Sequence, residues 1–573
     1  MTDQPQATQA EPPPATPSLA DLQHWTWVMG RAQQMMLEQG VAALDAVPVS
    51  NPLAAQVRDF WTDSLTLWQR FLDPAAPRPE EPAAQARDKR FKSEAWRTPV
   101  FDLIRQSYFM ISDHMLRSID ALDGVDDKQK EQLRFATRGL VDAMSPSNFA
   151  ATNPEVIART VETKGENLLK GLQHMLADMG RGQLTHVPQG AFEVGRNLAA
   201  TPGKVIHRTP LYELIHYAPT TETVLATPLV IFPPWINRFY ILDLTPEKSF
   251  IGWCVEQGIS VFMVSWKSAD ASLKDVMWDD YVAAQLEAID TVRDVLDVPQ
   301  VHAIGYCVAG TTLAATLAVQ AARGQAEKVA SATFFTAQVD FARAGELTHF
   351  IDDKQMQLVA SLSPEGFLDG RYMAATFNLL RGRDLIWNYV TNNYLLGNDY
   401  APFDLLHWNG DTTNLPAKWH KSYLTDLYRD NLLVTPGALS IDGTPLDLTQ
   451  VATPSYVQAG REDHIAPAES VFEITRHFSG PVRFVLAGSG HIAGVVNPPA
   501  AGKYQYWTND APVASLDEFV AGAHETKGSW WPHWLAWLRG FGDERVPAAG
   551  ARVPGGGRLA PIEDAPGSYV RTR

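Results

Sequence analysis

The chain has 573 residues, of which 48 are Lys or Arg and 65 are Asp or Glu, giving a formal net charge of −17 at pH 7. A hydrophobic content of 45% and a charged content of 20% are typical of a globular protein and argue against a disordered one. The length accommodates two domains, and the negative charge argues against nucleic acid or an anionic lipid headgroup as the main partner.

The cysteine content and the first residues indicate the compartment. Cys254 and Cys307 are the two cysteines of the chain, so we expect no disulfide framework and a reducing environment. Residues 1–5 (MTDQP) lack the basic and apolar regions of a signal peptide. No apolar run approaches the about 18 residues that a membrane span needs. We therefore predict a cytoplasmic protein without a transmembrane segment.

The N-terminal third of the chain carries helical patterns. Residues 1–20 are rich in Pro, Ala, Gln and Thr, which predicts a disordered lead-in. Apolar and aromatic residues then recur at helical spacing along residues 19–72, 101–121, 128–143 and 153–179. Nothing before about residue 196 alternates with a period of two. The pattern predicts a mainly helical N-terminal domain over residues 21–196.

Short apolar runs alternate with helical segments over residues 197–545. The strand candidates are residues 224–232, 259–265, 301–304, 330–335, 455–458 and 482–486, and residues 278–296 form the most distinct helix between them. This alternation predicts a parallel sheet wound in right-handed crossovers. Residues 340–449, dense in Trp, Tyr, Leu and Asn, are predicted to be a lid insertion, and residues 546–573 a C-terminal tail.

The segment 305–310 (GYCVAG) is the most informative motif of the chain. It follows the strand candidate 301–304 and precedes an alanine-rich helical stretch, residues 312–322. A strand, a sharp glycine-flanked turn and a helix form a nucleophile elbow, which holds one side chain exposed above the sheet. That position usually carries Ser, and here it carries Cys307. We therefore interpret Cys307 as a nucleophile and Cys254 as a small buried hydrophobic residue.

Two later loops supply the other members of a triad. An α/β-hydrolase orders nucleophile, acid and histidine along the chain. Strand candidate 455–458 leads into the loop of Asp463, and strand candidate 482–486 leads into the glycine-rich loop of His491. Glu462 competes with Asp463 for the acid role, whereas His464 is interpreted as a loop histidine. The three elements together predict an α/β-hydrolase fold with a Cys307–His491–Asp463 triad, and no metal site.

Motifs spread over most of the chain resemble those of a known family. The longest lie at residues 91–96 (FKSEAW), 139–151 (GLVDAMSPSNFAA), 188–204 (PQGAFEVGRNLAATPGK) and 233–244 (PPWINRFYILDL). Shorter ones lie at residues 306–310, 388–397, 408–409, 461–467, 489–499 and 528–532. Together they resemble the class I polyhydroxyalkanoate synthases. Ala309 departs from that family's motif, where Gly is expected. Because a methyl group is the smallest possible addition, this departure puts little of the resemblance in doubt.

The resemblance implies a function. Such enzymes polymerise (R)-3-hydroxyacyl-CoA thioesters into polyester and release CoA, and class I implies short monomers such as 3-hydroxybutyryl-CoA. A Cys suits this task because an acyl group moved from the CoA thioester to Cys307 stays activated. The resemblance also implies a homodimer at the surface of polyhydroxyalkanoate granules, in contact with the growing chain. CoA is a product, so no separate cofactor is expected.

The resemblance and the residues suggest further roles. His491 is expected to be the general base toward Cys307, and Asp463 either orients His491 or helps to activate the substrate hydroxyl. The backbone N–H of Val308 is expected to form half of the oxyanion hole. Ile236, in the loop after the first strand candidate, is expected to supply the other half. Arg238 is a candidate for the CoA phosphates, and Trp408 for the path of the apolar polymer.

Two other functions remain open on the sequence. A cysteine thioesterase or hydrolase of the same fold would hand the acyl group to water, which explains the triad but not the N-terminal domain. A non-catalytic granule-coat protein would explain apolar helices but not the intact triad. The products separate the three: polymer with CoA, free hydroxy acid with CoA, or nothing.

Overall fold

The computed structural model describes residues 59, 60, 62–64, 66, 67 and 82–572, without the side chains of residues 349, 350 and 353–355. The predicted lead-in over residues 1–20 and most of the helical stretch 19–72 lie outside these residues. The chain divides into two compact units, Met1–Pro188 with Ala375–Ala401, and Gln189–Ala374 with Pro402–Arg573. The division differs from the predicted ranges, which placed the boundary at residue 196 and residues 375–401 in the lid.

The first unit is mainly helical over its described residues. Its helices are α1 (Ala83–Ala86), α2 (Pro99–Asp120), α3 (Asp127–Ala143), α4 (Pro154–Glu162) and α5 (Glu166–Arg181). Two π-helical segments follow at Arg383–Trp387 and Val390–Leu395. The stretch predicted as one helix over residues 153–179 is broken between α4 and α5, where Lys164 and Gly165 both have positive φ.

Residues 375–401 belong to this unit through contacts with α5. Gly171 lies so close to the backbone of Tyr394 that any Cβ at this position would overlap it. The Asn167 side chain donates a hydrogen bond of 2.8 Å to the carbonyl of Leu395, and the Tyr394 hydroxyl donates one of 2.6 Å to buried Asp178. Asn167 and Leu395 lie 228 positions apart, so local periodicity carries no sign of the contact.

An eleven-stranded sheet, counted over the described residues, forms the base of the second unit. Its strands are β1 (Gly203–Arg208), β2 (Tyr212–Tyr217), β4 (Leu229–Phe232), β5 (Val261–Trp266), β6 (Val301–Tyr306), β7 (Val329–Phe335), β12 (Ser455–Gly460), β13 (Val482–Ala487), β14 (Gln505–Thr508), β15 (His524–Lys527) and β17 (Glu563–Asp564). They are arranged in the order β15-β14-β13-β12-β7-β6-β4-β5-β2-β1-β17. Strands β13, β12, β7, β6, β4 and β5 pair in parallel, as predicted, and the strands outside them are antiparallel.

The other strands of this unit form short two-stranded pairs. They are β3 (Thr223–Leu225) with β16 (Arg545–Pro547), β8 (Phe367–Leu368) with β9 (Leu415–Pro416), and β10 (Ser440–Ile441) with β11 (Thr444–Pro445). The prediction of one strand over residues 224–232 is therefore wrong, because β3 and β4 belong to different sheets. Pro228 lies between them and has no N–H to continue a ladder.

The α-helices from residue 250 onward alternate with or follow the strands. They are α6 (Phe250–Glu256), α7 (Trp278–Leu296), α8 (Val308–Ala322), α9 (Asp353–Ser361), α10 (Gly370–Leu380), α11 (Asp404–Gly410), α12 (Ala417–Ser422), α13 (Ala468–Phe472), α14 (Ile474–His477), α15 (Leu516–Ala521) and α16 (Trp531–Arg539). Residues of α10 from Ala375 on belong to the first unit. Helices α7 and α8 pack in one apolar cluster, while α6 and α16 pack in another, which contains fully buried Cys254. No helix in the described part of the chain combines the length and apolarity that crossing a membrane requires.

Residues 546–573, predicted to be a tail, are packed against the second unit as far as they are described. Strand β17 pairs with β1 and so extends the main sheet. Arg552 is buried and donates hydrogen bonds to the carbonyls of Leu225 and Ala226, at 3.2 Å and 2.6 Å. Val570 is buried as well. The glycines and prolines that suggested a tail instead form turns between these anchored points.

Candidate active site

Cys307 lies at a sharp turn between β6 and α8. Its φ of 53° and ψ of −128° are unusual for a residue with a side chain, and its N–H donates a hydrogen bond of 2.9 Å to the carbonyl of Phe335. The flanking glycines allow strand and helix to touch: a Cβ on Gly305 would lie 2.5 Å from the Cα of Gly310. The predicted elbow geometry is therefore present, with a half-buried Cys307 at its apex.

Asp463 and His491 form a hydrogen-bonded pair. Asp463 Oδ1 accepts hydrogen bonds from the N–H groups of Ile465 and Ala466, at 2.8 Å and 2.9 Å. Asp463 Oδ2 lies 2.7 Å from His491 Nδ1, and both residues are buried. The competing Glu462 is exposed to solvent. The loops that follow β12 and β13 thus present the pair that the sequence predicts. Asp463, and not Glu462, is the acid that contacts His491.

The charge state of His491 is set by its two neighbours. Burial lowers the pKa of His491, but the charges of Asp463 and Cys307 and hydrogen bonds to both residues raise it to about 10. Because Nδ1 faces Asp463, Nε2 is the ring nitrogen that remains for Cys307. At neutral pH His491 is therefore held as an imidazolium beside Asp463 and Cys307.

Two tyrosines, Tyr306 and Tyr428, interact with residues of the candidate triad. The hydroxyl of buried Tyr306 donates a hydrogen bond of 3.0 Å to the carbonyl of His491, which fixes the histidine loop. Burial raises the pKa of Tyr428, and the charges of Cys307 and Asp463 raise it further. Its hydroxyl accepts a hydrogen bond of 3.2 Å from Gln338 Nε2. Sequence reasoning missed Tyr428, which lies on the π-helical segment Tyr423–Arg429 of the predicted lid and has no local motif.

The two predicted oxyanion donors lie at the same edge of the sheet. Val308 is the first residue of α8, where backbone N–H groups have no partner within the helix. Half-buried Ile236 belongs to the loop that follows β4, residues 233–238, here termed the β4 loop. Strands β4 and β6 are parallel neighbours with Phe232 opposite Gly305, so the β4 loop and the elbow leave the sheet side by side.

The predicted substrate-binding residues are both buried. The Arg238 side chain is 1% exposed, and its Nε lies 3.5 Å from Asp411 Oδ1. Trp408 is 5% exposed and donates its indole N–H to the carbonyl of Arg238, at 2.7 Å. A phosphate group at the surface would not reach such a guanidinium. The predicted role of Arg238 toward CoA phosphates therefore finds no support in its position.

One group of residues in the described chain has the composition of a cation site. Asp340, Glu473 and His477 place one ligand atom each within 4.8 Å of one another. The Asp340 carboxylate already lies 3.2 Å from His477 Nε2 and accepts a hydrogen bond from Asn431 at 2.9 Å. These contacts satisfy the carboxylate without an ion.

Comparison with known proteins identifies the family. Residues 87–254 match the family described as "Poly-beta-hydroxybutyrate polymerase (PhaC) N-terminus", and residues 256–498 match "alpha/beta hydrolase fold". The chain is 48% identical to "Poly(3-hydroxyalkanoate) polymerase subunit PhaC" of Rhizobium meliloti, over 90% of this chain and 84% of that protein.

Two further relatives agree. The chain is 44% identical to "Poly(3-hydroxyalkanoate) polymerase" of Methylorubrum extorquens, over 97% of this chain and 91% of that protein. It is 42% identical to the polymerase subunit PhaC of Cupriavidus necator, over 93% and 91%. The predicted fold class and family are confirmed: this chain is an acyltransferase of α/β-hydrolase fold and belongs to the poly(3-hydroxyalkanoate) polymerase family.

Proposed function

We propose that this chain polymerises short (R)-3-hydroxyacyl-CoA monomers, with 3-hydroxybutyryl-CoA as the first candidate, through a thioester on Cys307. The observation that carries the proposal is the Cys307 elbow beside the His491–Asp463 pair, in a chain similar over most of its length to named polymerases. A hydrolase would share the His491–Asp463 pair. The similarity to polymerases, however, also covers residues 87–254, which include the helical region of the first unit.

The first step is acyl transfer to the enzyme. The thiol proton of Cys307 is held on His491 Nε2, and the resulting thiolate attacks the carbonyl carbon of the CoA thioester. The N–H groups of Val308 and Ile236 stabilise the oxyanion, worth about 10²–10³ in rate for each donor. The C–S bond to CoA then breaks, and the CoA thiolate leaves with the proton held by His491. One thioester replaces another, so the acyl group keeps its driving force.

The second step forms the ester bond. His491, again neutral, accepts the proton of a 3-hydroxyl group, whose oxygen attacks the acyl carbon on Cys307. The C–S bond breaks, the polymer is longer by one unit, and the proton returns to the Cys307 sulfur. The 2.7 Å contact between Asp463 and His491 supports an orienting role for Asp463 in both steps.

Product analysis tests the proposal. We expect wild-type protein to release CoA from (R)-3-hydroxybutyryl-CoA, to form insoluble polyester and to carry the acyl group on Cys307, whereas Cys307→Ala does none of these. Free 3-hydroxybutyrate as the sole acyl product would contradict polymerisation and support a thioesterase. Labelling of the Cys307→Ala protein would contradict the nucleophile.

The remaining expectations follow from family membership and are also proposals. We infer a homodimer that acts in the cytoplasm at the surface of polyester granules and needs no cofactor beyond its CoA thioester. Sedimentation at several protein concentrations tests the dimer, and co-purification with granules tests the location. Full activity after dialysis against EDTA is expected, and its loss would direct attention to the Asp340, Glu473 and His477 group.

A further inference from the structure

Arg238 is held by two parts of the second unit. Its Nε lies 3.5 Å from Asp411 Oδ1, and one terminal nitrogen donates a hydrogen bond of 3.4 Å to the carbonyl of Thr412. The other terminal nitrogen donates one of 3.2 Å to the carbonyl of Tyr569. The guanidinium of the β4 loop thus joins the insertion after residue 401 to the C-terminal segment.

The insertion holds the β4 loop at several further points. The Thr413 hydroxyl donates a hydrogen bond of 2.6 Å to the carbonyl of Trp235, and Asn237 forms a β-bridge with Thr412. The Tyr240 hydroxyl donates one of 2.8 Å to the second oxygen of Asp411. Trp235, Asn237 and Arg238 therefore each bond to the insertion, through the backbone or a side chain.

The segment that carries the Tyr569 carbonyl is itself bonded to the main sheet. Buried Glu213 of β2 accepts hydrogen bonds from the N–H of Tyr569 at 3.1 Å and from the hydroxyl of Ser568 at 2.9 Å. Arg208 donates to the same carboxylate at 2.8 Å. The carbonyl that meets Arg238 is therefore attached to a strand of the main sheet.

The energetics favour positioning over simple stabilisation. Removing both charges of a buried ion pair from water costs about as much as their attraction returns, so an apolar pair would stabilise the fold equally well. A planar guanidinium with several donors instead fixes the orientation of everything that it contacts. An oxyanion donor needs such fixing, because a displacement of about 1 Å can cost about 10²-fold in rate.

We propose that Arg238 is a positioning residue that sets the β4 loop, and with it the N–H of Ile236, relative to Cys307. The inference rests on the proposed function, since it assumes that Ile236 donates to the oxyanion of the acylation step. It replaces a direct role of Arg238 toward CoA with an indirect one, exerted through the backbone of its own loop.

Two reactions of Cys307 separate positioning from general damage. Acylation by labelled 3-hydroxybutyryl-CoA passes through an oxyanion, whereas alkylation by iodoacetamide does not and needs only the thiolate. In Arg238→Lys the charge beside Asp411 remains while the forked donors are lost. We expect its acylation rate and kcat to fall about 10–100-fold with little change in KM, and its alkylation rate to stay within about two-fold of wild type.

Arg552→Lys is the matched control. Arg552 is also buried and also donates to carbonyl groups, but it lies at the amino end of β4, away from Cys307. Its acylation rate is expected to stay within about two-fold of wild type even if the Tm falls as far as in Arg238→Lys. Asp411→Asn, which keeps the shape of the partner and removes its charge, is expected to reproduce the selective loss of acylation in weaker form.

Three results would overturn the positioning role. They are wild-type acylation in Arg238→Lys, a parallel loss of acylation and alkylation in that variant, and an equal loss of acylation in Arg552→Lys. Failure of the proposed function gives a different result, because wild-type protein would then carry no acyl group on Cys307 while iodoacetamide still modified it.

Discussion

Replacing Asp463 by Asn tests how the histidine is held. Asp463 Oδ1 accepts hydrogen bonds from the N–H groups of Ile465 and Ala466, so the Asn side chain keeps its oxygen there. The amide nitrogen then faces His491 Nδ1, at the place where a carboxylate oxygen lay 2.7 Å away. An NH₂ group donates and does not accept, so Nδ1 must lose its proton and Nε2 must carry it.

The size of the effect follows from that change of tautomer. With the proton on Nε2, His491 is no longer a base toward Cys307, and the favourable charge of Asp463 is lost as well. A general base contributes about 10²–10⁴ in rate, and a wrong tautomer in a comparable triad removes nearly all of it. We expect acylation to slow about 10³–10⁴-fold, which corresponds to about 4–5.5 kcal/mol in the barrier.

Single-turnover acylation with labelled 3-hydroxybutyryl-CoA, measured from pH 6 to pH 10, is the assay. Glu462→Gln is the control, since it removes an exposed carboxylate one position away and is expected to react like wild type. Acylation of Asp463→Asn within about ten-fold of wild type at all pH values would refute the reasoning. An equal loss in Glu462→Gln would assign the effect to the loop rather than to the histidine.

Three other predictions concern the same elements. Gly310→Ala places a Cβ 2.8 Å from the carbonyl oxygen of Gly305 and against the Ala337 side chain, so chemical denaturation should show a loss of about 1–3 kcal/mol together with lost activity. Tyr306→Phe removes the 3.0 Å hydrogen bond to the His491 carbonyl, which should cost about 0.5–1.5 kcal/mol in the free energy of unfolding and raise the mobility of that loop in hydrogen exchange. The raised pKa of His491 predicts stability that is fully present below its ordinary value of 6.5 and is lost as pH rises through about 10. The difference in unfolding free energy between wild type and His491→Gln should therefore shrink between pH 6 and pH 10, and a constant difference would contradict the charged pair.

The arrangement of Cys307, Asp463 and His491 in the candidate site was predictable because each residue has a local signature. Cys307 follows a strand and precedes a helix within a few positions, and Asp463 and His491 each follow a strand of the parallel sheet by a few residues. Parallel strands present their carboxyl ends at one edge, so three local patterns suffice to assemble one site. The order of the three residues along the chain matches that of an α/β-hydrolase, but the choice between Glu462 and Asp463 needed the structure, in which Asp463 contacts His491 and Glu462 is exposed.

What the sequence did not predict depends on distant partners. Strand β17 has two residues and pairs with β1 some 360 positions away, so no window of the sequence marks it as a strand. Arg238 was predicted as a candidate for the CoA phosphates, yet the carbonyl groups to which it donates lie 174 and 331 positions away. The charge of Cys307 raises the pKa of Tyr428 through the same kind of distant packing.

The contact between Arg238 and Tyr569 is also expected to form late in folding. Closing a loop of 331 residues is entropically unfavourable, so nearer contacts, such as the β4–β6 pairing that builds the elbow, form earlier. A partly folded molecule would therefore hold Cys307 at its turn before the β4 loop is in place. On heating we expect the β4 loop, which an isolated β-bridge and side-chain bonds hold, to open before the elbow, which follows a strand paired within the sheet. We therefore expect Cys307 to stay ordered and reactive toward small reagents at temperatures where acyl transfer has already ceased.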